Sequence, residues 1–157
     1  MFFETNIGEL LTIKLEQVLD IEKNAGNGVF DGTATMHGFQ TNGLHEKEDY
    51  KSILEDLLSF TPSEFKDFKY RWFHLIDYDR GGWQIEHDHS RTETMSFVVY
   101  LTTCNEGGKT FFRTSDTEVF ESAPVRGKLI LFPAYLRHWG EEVIDPKRVA
   151  VGALRSN

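Results

Sequence analysis

Three histidines stand at a spacing that could serve a metal ion: His87 and His89, in the run His87-Asp88-His89, and the distant His138. On an extended strand, residues two apart point the same way, so the first two imidazoles would face one side and Asp88 the other. One strand then offers two nitrogen ligands, and a second strand could bring the third. Imidazole suits iron, zinc, copper or nickel, and three protein ligands with open positions suit catalysis better than a structural role. With three neutral ligands the ion keeps its full double charge, which strengthens its hold on an anion. A carboxylate ligand would have to come from Asp88 through a β-bulge, or from Glu86 or Glu93. The plain alternative is that these are unrelated surface or core histidines.

Arg148 offers a planar guanidinium fork that matches a carboxylate. On a strand over 148–154 it shares a face with Ala150, Gly152 and Leu154, and the two nearest are small enough to leave room for a ligand. The rival reading pairs Arg148 with Glu141 or Glu142. Trp83 and Trp139 flank the histidines but read as core more readily than as pocket walls. Gly107-Gly108 forms a tight turn with no helix start behind it, so it is not a phosphate cradle. Cys104 has no adjacent base and reads as inert. His37, His45 and His74 lack partners at ligand spacing, and Ser90 has no acid–base pattern around it.

The elements that must position these residues divide the chain in two. In the first 70 residues, Glu9–Leu15 alternates weakly as a strand, Glu16–Asn24 reads as a helix ending before Gly26-Asn27-Gly28, and Val29–His37 reads as a strand. Over His45–Leu58, Tyr50, Ile53, Leu54, Leu57 and Leu58 recur at helical spacing, and Thr61-Pro62-Ser63-Glu64 starts a second short helix. After Tyr70 come eight short strand-like segments: 71–79, 83–89, 95–102, 109–113, 118–121, 128–132, 136–140 and 148–154. Turn signals such as Asp79-Arg80-Gly81-Gly82 and Asn105-Glu106-Gly107-Gly108 separate them. That pattern predicts an α+β chain whose second half is an antiparallel barrel or jelly roll, preceded by packing helices.

The 157 residues suit one domain, with 1–70 as a helix-containing support and 71–157 as the β-rich core. No apolar run approaches the ~18 residues of a spanning helix, and the start of the chain lacks a basic region followed by an apolar one. The single cysteine leaves no internal disulfide framework and fits a reducing, cytoplasmic compartment. The net charge of −8 disfavours a nucleic-acid backbone as partner. Its distribution is uneven: 126–157 carries six basic and three acidic residues, so a small anion could be drawn to the C-terminal part.

In order along the chain follow His87-Asp88-His89, Ser96-Phe97-Val98-Val99-Tyr100-Leu101, Gly107-Gly108-Lys109-Thr110-Phe111-Phe112, Gly127-Lys128-Leu129-Ile130-Leu131-Phe132-Pro133, His138 and Arg148. This series, over roughly 72–157, resembles the iron(II)/2-oxoglutarate-dependent oxygenases of the prolyl-hydroxylase-like branch. It is most similar to a bacterial and phage subgroup with His-x-His in place of His-x-Asp and an earlier stretch like Gln40-Thr41-Asn42. The resemblance implies a double-stranded β-helix holding Fe(II), with 2-oxoglutarate as co-substrate and O2 as oxidant. The products would be succinate, CO2 and a hydroxylated substrate, either a protein side chain or a small metabolite. It maps His87 and His138 onto the family's two histidine ligands, with His89 as third ligand, and Arg148 and Tyr100 onto the residues that hold the far carboxylate of 2-oxoglutarate. A cupin is the rival: Gly81, His87, His89 and Glu93, then Gly127, Pro133 and His138, match parts of its two motifs and would bind a metal without 2-oxoglutarate. A sugar- or protein-binding jelly roll with incidental histidines is the non-enzymatic alternative.

Overall fold

A computed structural model describes residues 2–32, 34–89 and 94–156. Among the described residues, ten strands form one sheet that curls back on itself. They are β1 (Phe3–Asn6), β2 (Gly28–Phe30), β3 (Thr35–Thr41), β4 (Lys69–His87), β5 (Met95–Tyr100), β6 (Thr110–Arg113), β7 (Val119–Ser122), β8 (Lys128–Pro133), β9 (Arg137–Gly140) and β10 (Lys147–Arg155). The order β1-β8-β5-β10-β4-β9-β6-β7 is antiparallel throughout, with the β2–β3 hairpin on the other edge of β4. β4 joins the two layers. Its first half lies against β10, and its last residues pair with β9, so that His87 sits opposite His138.

Two helices, α1 (Glu9–Asn24) and α2 (Lys51–Leu58), cover the back of the larger layer. The weak alternation expected to make 9–15 a strand is overridden by a helical period: Leu11, Leu15, Val18 and Leu19 share one buried face. That face packs against Phe73, Leu75, Val99, Leu129, Ala150 and Leu154. The segment 45–58 is helical only over its last residues, after a single 3-10 turn at Glu48–Tyr50. The segment after Thr61 is likewise one 3-10 turn, Ser63–Phe65, and the Thr61 hydroxyl donates backward to the Leu58 carbonyl instead of capping it.

The expected break at Asp79–Gly82 is absent, and β4 runs through it. Gly81 takes φ of 87°, and a side chain on Gly82 would meet the His37 carbonyl at 2.8 Å, so the glycines bend the strand without ending it. A second hydrophobic cluster fills the space between the layers: Ile76, Tyr78, Val98, Tyr100, Phe112, Ile130, Phe132 and Val149. Strand alternation therefore sends one set of residues toward the helices and the other inward. Among the described residues, no helix is long and apolar enough to cross a membrane.

Candidate active site

The inward faces of β4 and β9 and the residues just after β4 bring His87, His89 and His138 together. Their rings lie 4.3 to 5.1 Å apart between centroids, and one nitrogen from each falls within 4.8 Å of the others. A β-bulge helps: two residues of β4, Ile85 and Glu86, oppose one residue of β9. The His87 Nδ1 lies 2.6 Å from the Ile85 carbonyl and the His138 Nδ1 lies 3.0 Å from the Leu136 carbonyl. A carbonyl only accepts, so each Nδ1 carries the proton and each Nε2 lone pair is left for the centre of the cluster. Burial and the neighbouring rings pull the His138 value down to about 3, and burial also lowers that of His87. Both imidazoles are therefore neutral at neutral pH, the form a metal needs.

The nearby carboxylates are occupied elsewhere. Glu86 accepts from Arg113 Nε and Nη2 (3.3 and 3.1 Å) and from Arg137 Nε (2.9 Å), which hold its carboxyl down at about 2. Asp88 lies 3.6 Å from Arg137. Glu93, the cupin-type ligand, and Ser90 fall outside the described residues. The donor set among the described residues is thus three imidazoles, which fit a divalent transition metal.

The structure places Arg148 away from this pocket. Its side chain points to the helix side, where it pairs with Asp20 of α1 (3.0 Å) and Asp77 of β4 (3.2 Å). The small residues on its face, Ala150 and Gly152, make room for packing: Ala150 joins the helix-side core, and a Cβ on Gly152 would fall 2.4 Å from the Phe97 ring. The cation that reaches the pocket is its neighbour Lys147. It is 4% exposed, its Nζ is 5.1 Å from the centre of the Tyr78 ring and 6.0 Å from that of Tyr100, and no carboxylate lies within salt-bridge distance among the described residues. Burial lowers its ammonium to about 8. Tyr100 is fully buried beside it, and its hydroxyl donates to Thr110 Oγ1 at 2.7 Å.

Other basic residues of 126–157 are likewise neutralised, Arg126 by Glu9 and Glu16 and Arg137 by Glu86. The helix pair Glu16 and Asp20, one turn apart, was the sequence signal that could have assigned Arg148 to α1.

The inner pocket runs from the histidines to Lys147. Trp72, Ser96, Val98, Thr110 and Val149 line it on the way. It adjoins an outer cleft of about 570 Å³, whose wall includes Gln40, Trp72, His74, Gln84, Ile85 and Asp88. Trp139 turns the other way, stacked on Phe111 at 5.3 Å, and the pocket tryptophan is Trp72, its ring 4.9 Å from that of His89.

No protein-family model matches the sequence, and no curated protein does. Solved structures do match. A prolyl-4-hydroxylase from Pseudomonas putida superposes with a TM-score of 0.77 at 14% identity, over 99% of this chain and 92% of that one. The fold is that of the prolyl hydroxylases. A viral collagen prolyl hydroxylase from Paramecium Bursaria Chlorella virus-1, solved as a 2-oxoglutarate complex, gives 0.72 at 15% identity over 99% and 96%. A prolyl hydroxylase from Trichoplax adhaerens, solved with a hypoxia inducible factor peptide, gives 0.71 at 14% identity over 97% and 82%. The prolyl-hydroxylase fold is the double-stranded β-helix expected from the strand pattern, with α1 and α2 packed behind it.

Proposed function

We propose that this chain is an Fe(II)- and 2-oxoglutarate-dependent oxygenase that hydroxylates a protein side chain or a small metabolite and releases succinate and CO2. The observation that carries the reading is one pocket with three convergent imidazoles at one end and the buried ammonium of Lys147 at the other. A buried cation without an acid partner is costly, and an anionic ligand relieves the cost. The viral neighbour, solved with 2-oxoglutarate, and the peptide complex of the Trichoplax adhaerens neighbour support the same reading.

In this reading His87, His89 and His138 hold the ion, and Lys147 replaces Arg148 as the residue that holds the far carboxylate. When bound, iron with 2-oxoglutarate and O2 supplies the oxidising chemistry. The protein's part is binding and orientation. Lys147 gives a charge-assisted contact, and Thr110, whose hydroxyl accepts from Tyr100, lines the pocket beside it. Val98, Val149 and Val151 keep water from the middle of the pocket. The outer cleft, next to His87 and His89, takes the substrate. Asp88 is on its wall, and among the described residues no lysine or arginine is. The test is anaerobic incubation with Fe(II) and 2-oxoglutarate followed by air. Succinate that forms only with His138 intact supports the proposal, and no succinate with any candidate substrate counts against it.

A further inference from the structure

The inner pocket contains a polar group that no protein contact uses. Ser96 is 1% exposed, and its Oγ is buried without a hydrogen-bond partner. A native structure leaves few such groups, because an unsatisfied buried hydroxyl is expensive, so each asks for a reason. Two other described side chains share the condition, His45 and Ser122, but neither lines the pocket.

Strand alternation puts Ser96 on the inward face of β5 with Val98 and Tyr100. In register it pairs with Phe132 of β8, whose ring packs 4.9 Å from that of His138. Tyr100 lies four residues further along β5, at the Lys147 end. The pocket is therefore polar at both ends, with the histidines and Ser96 at one and Lys147 and Thr110 at the other, and valines between. A short acid carrying an anionic group at each end satisfies both.

We infer that Ser96 Oγ donates a hydrogen bond to the metal-side carboxylate of a bound 2-oxo diacid and so sets its orientation beside the ion. This rests on the reading that the inner pocket holds 2-oxoglutarate. The hydroxyl is a positioning group for the co-substrate and not a metal ligand, so it acts on acid affinity and leaves metal affinity alone.

Titration calorimetry on the Mn(II)-loaded protein, which binds without turnover, tests it with 2-oxoglutarate as the probe. Ser96→Ala should raise the Kd for 2-oxoglutarate about tenfold, equivalent to about 1.4 kcal/mol. Its Mn(II) affinity should match wild type and its ligand-free melting temperature should equal or exceed wild type, because the unpaired hydroxyl is gone, and Ser96→Thr, which keeps the hydroxyl, should bind within threefold of wild type. Binding by Ser96→Ala within twofold of wild type overturns the inference. So does an equal loss of Mn(II) affinity, or a loss in Ser96→Thr as large as in Ser96→Ala. Wild-type protein that binds Mn(II) but no 2-oxoglutarate overturns the functional reading itself, and this inference with it.

Discussion

Replacing Lys147 by methionine should make the ligand-free protein more stable and remove most of its response to 2-oxoglutarate. Methionine keeps most of the apolar stem and loses the charged end. An ammonium held at about 8, against an ordinary 10.5, carries about 3 kcal/mol of unfavourable burial at neutral pH. The sign follows from proton linkage. The unfolded lysine holds its proton more tightly than the folded one, so the cost is complete below about pH 8 and vanishes as pH rises toward 10.5. For a chain of 157 residues, about 3 kcal/mol corresponds to a rise in melting temperature of roughly 6–12 °C at pH 7. The gain should shrink steadily as the melts are repeated up to pH 10. With Mn(II) present and 2-oxoglutarate at a hundred times its Kd, wild type should gain ~2.7 kcal/mol. Lys147→Met at the same concentration should gain little. A variant that melts below wild type at pH 7, or one that still responds fully to 2-oxoglutarate, would refute the argument.

Binding of 2-oxoglutarate to wild type should weaken about tenfold between pH 7 and pH 9, because the free Lys147 ammonium loses its proton near 8; calorimetry at the two values checks this. Arg148→Ala should leave that affinity unchanged while costing about 1 kcal/mol of stability in denaturant melts, since its pairs with Asp20 and Asp77 are only partly buried. Glu86→Gln should retain full metal stoichiometry by elemental analysis, because its carboxylate serves Arg113 and Arg137. Metal-free protein should lose stability as pH falls from about 6.5 toward 3, where unfolded histidines bind protons that buried His138 refuses; His138→Asn should flatten that slope in acid melts.

Much of this was legible in the sequence. Turn residues at short intervals marked out the strands after Tyr70, and the histidine spacing pointed to the cluster. The errors trace to contacts that periodicity does not carry. The segment 9–15 alternates well enough to pass for a strand until the buried positions Leu11, Leu15, Val18 and Leu19 are seen to share one helical face. Arg148 and Lys147 are adjacent on β10, so a one-residue choice of face decides which enters the pocket. Small neighbours suggested Arg148, but they are small because α1 and Phe97 press against them. Inward alternation of Lys147, Val149 and Val151 gives the correct face once the helix side is known. Trp72 was equally hidden, since nothing in its local sequence separates it from the outward Trp139.

The most direct test is a crystal structure of the protein grown with Mn(II) and 2-oxoglutarate without turnover. The account predicts one ion bound by His87, His89 and His138, with the diacid running from it to Lys147. An ion held elsewhere, or a distal carboxylate lying on Arg148, would contradict it.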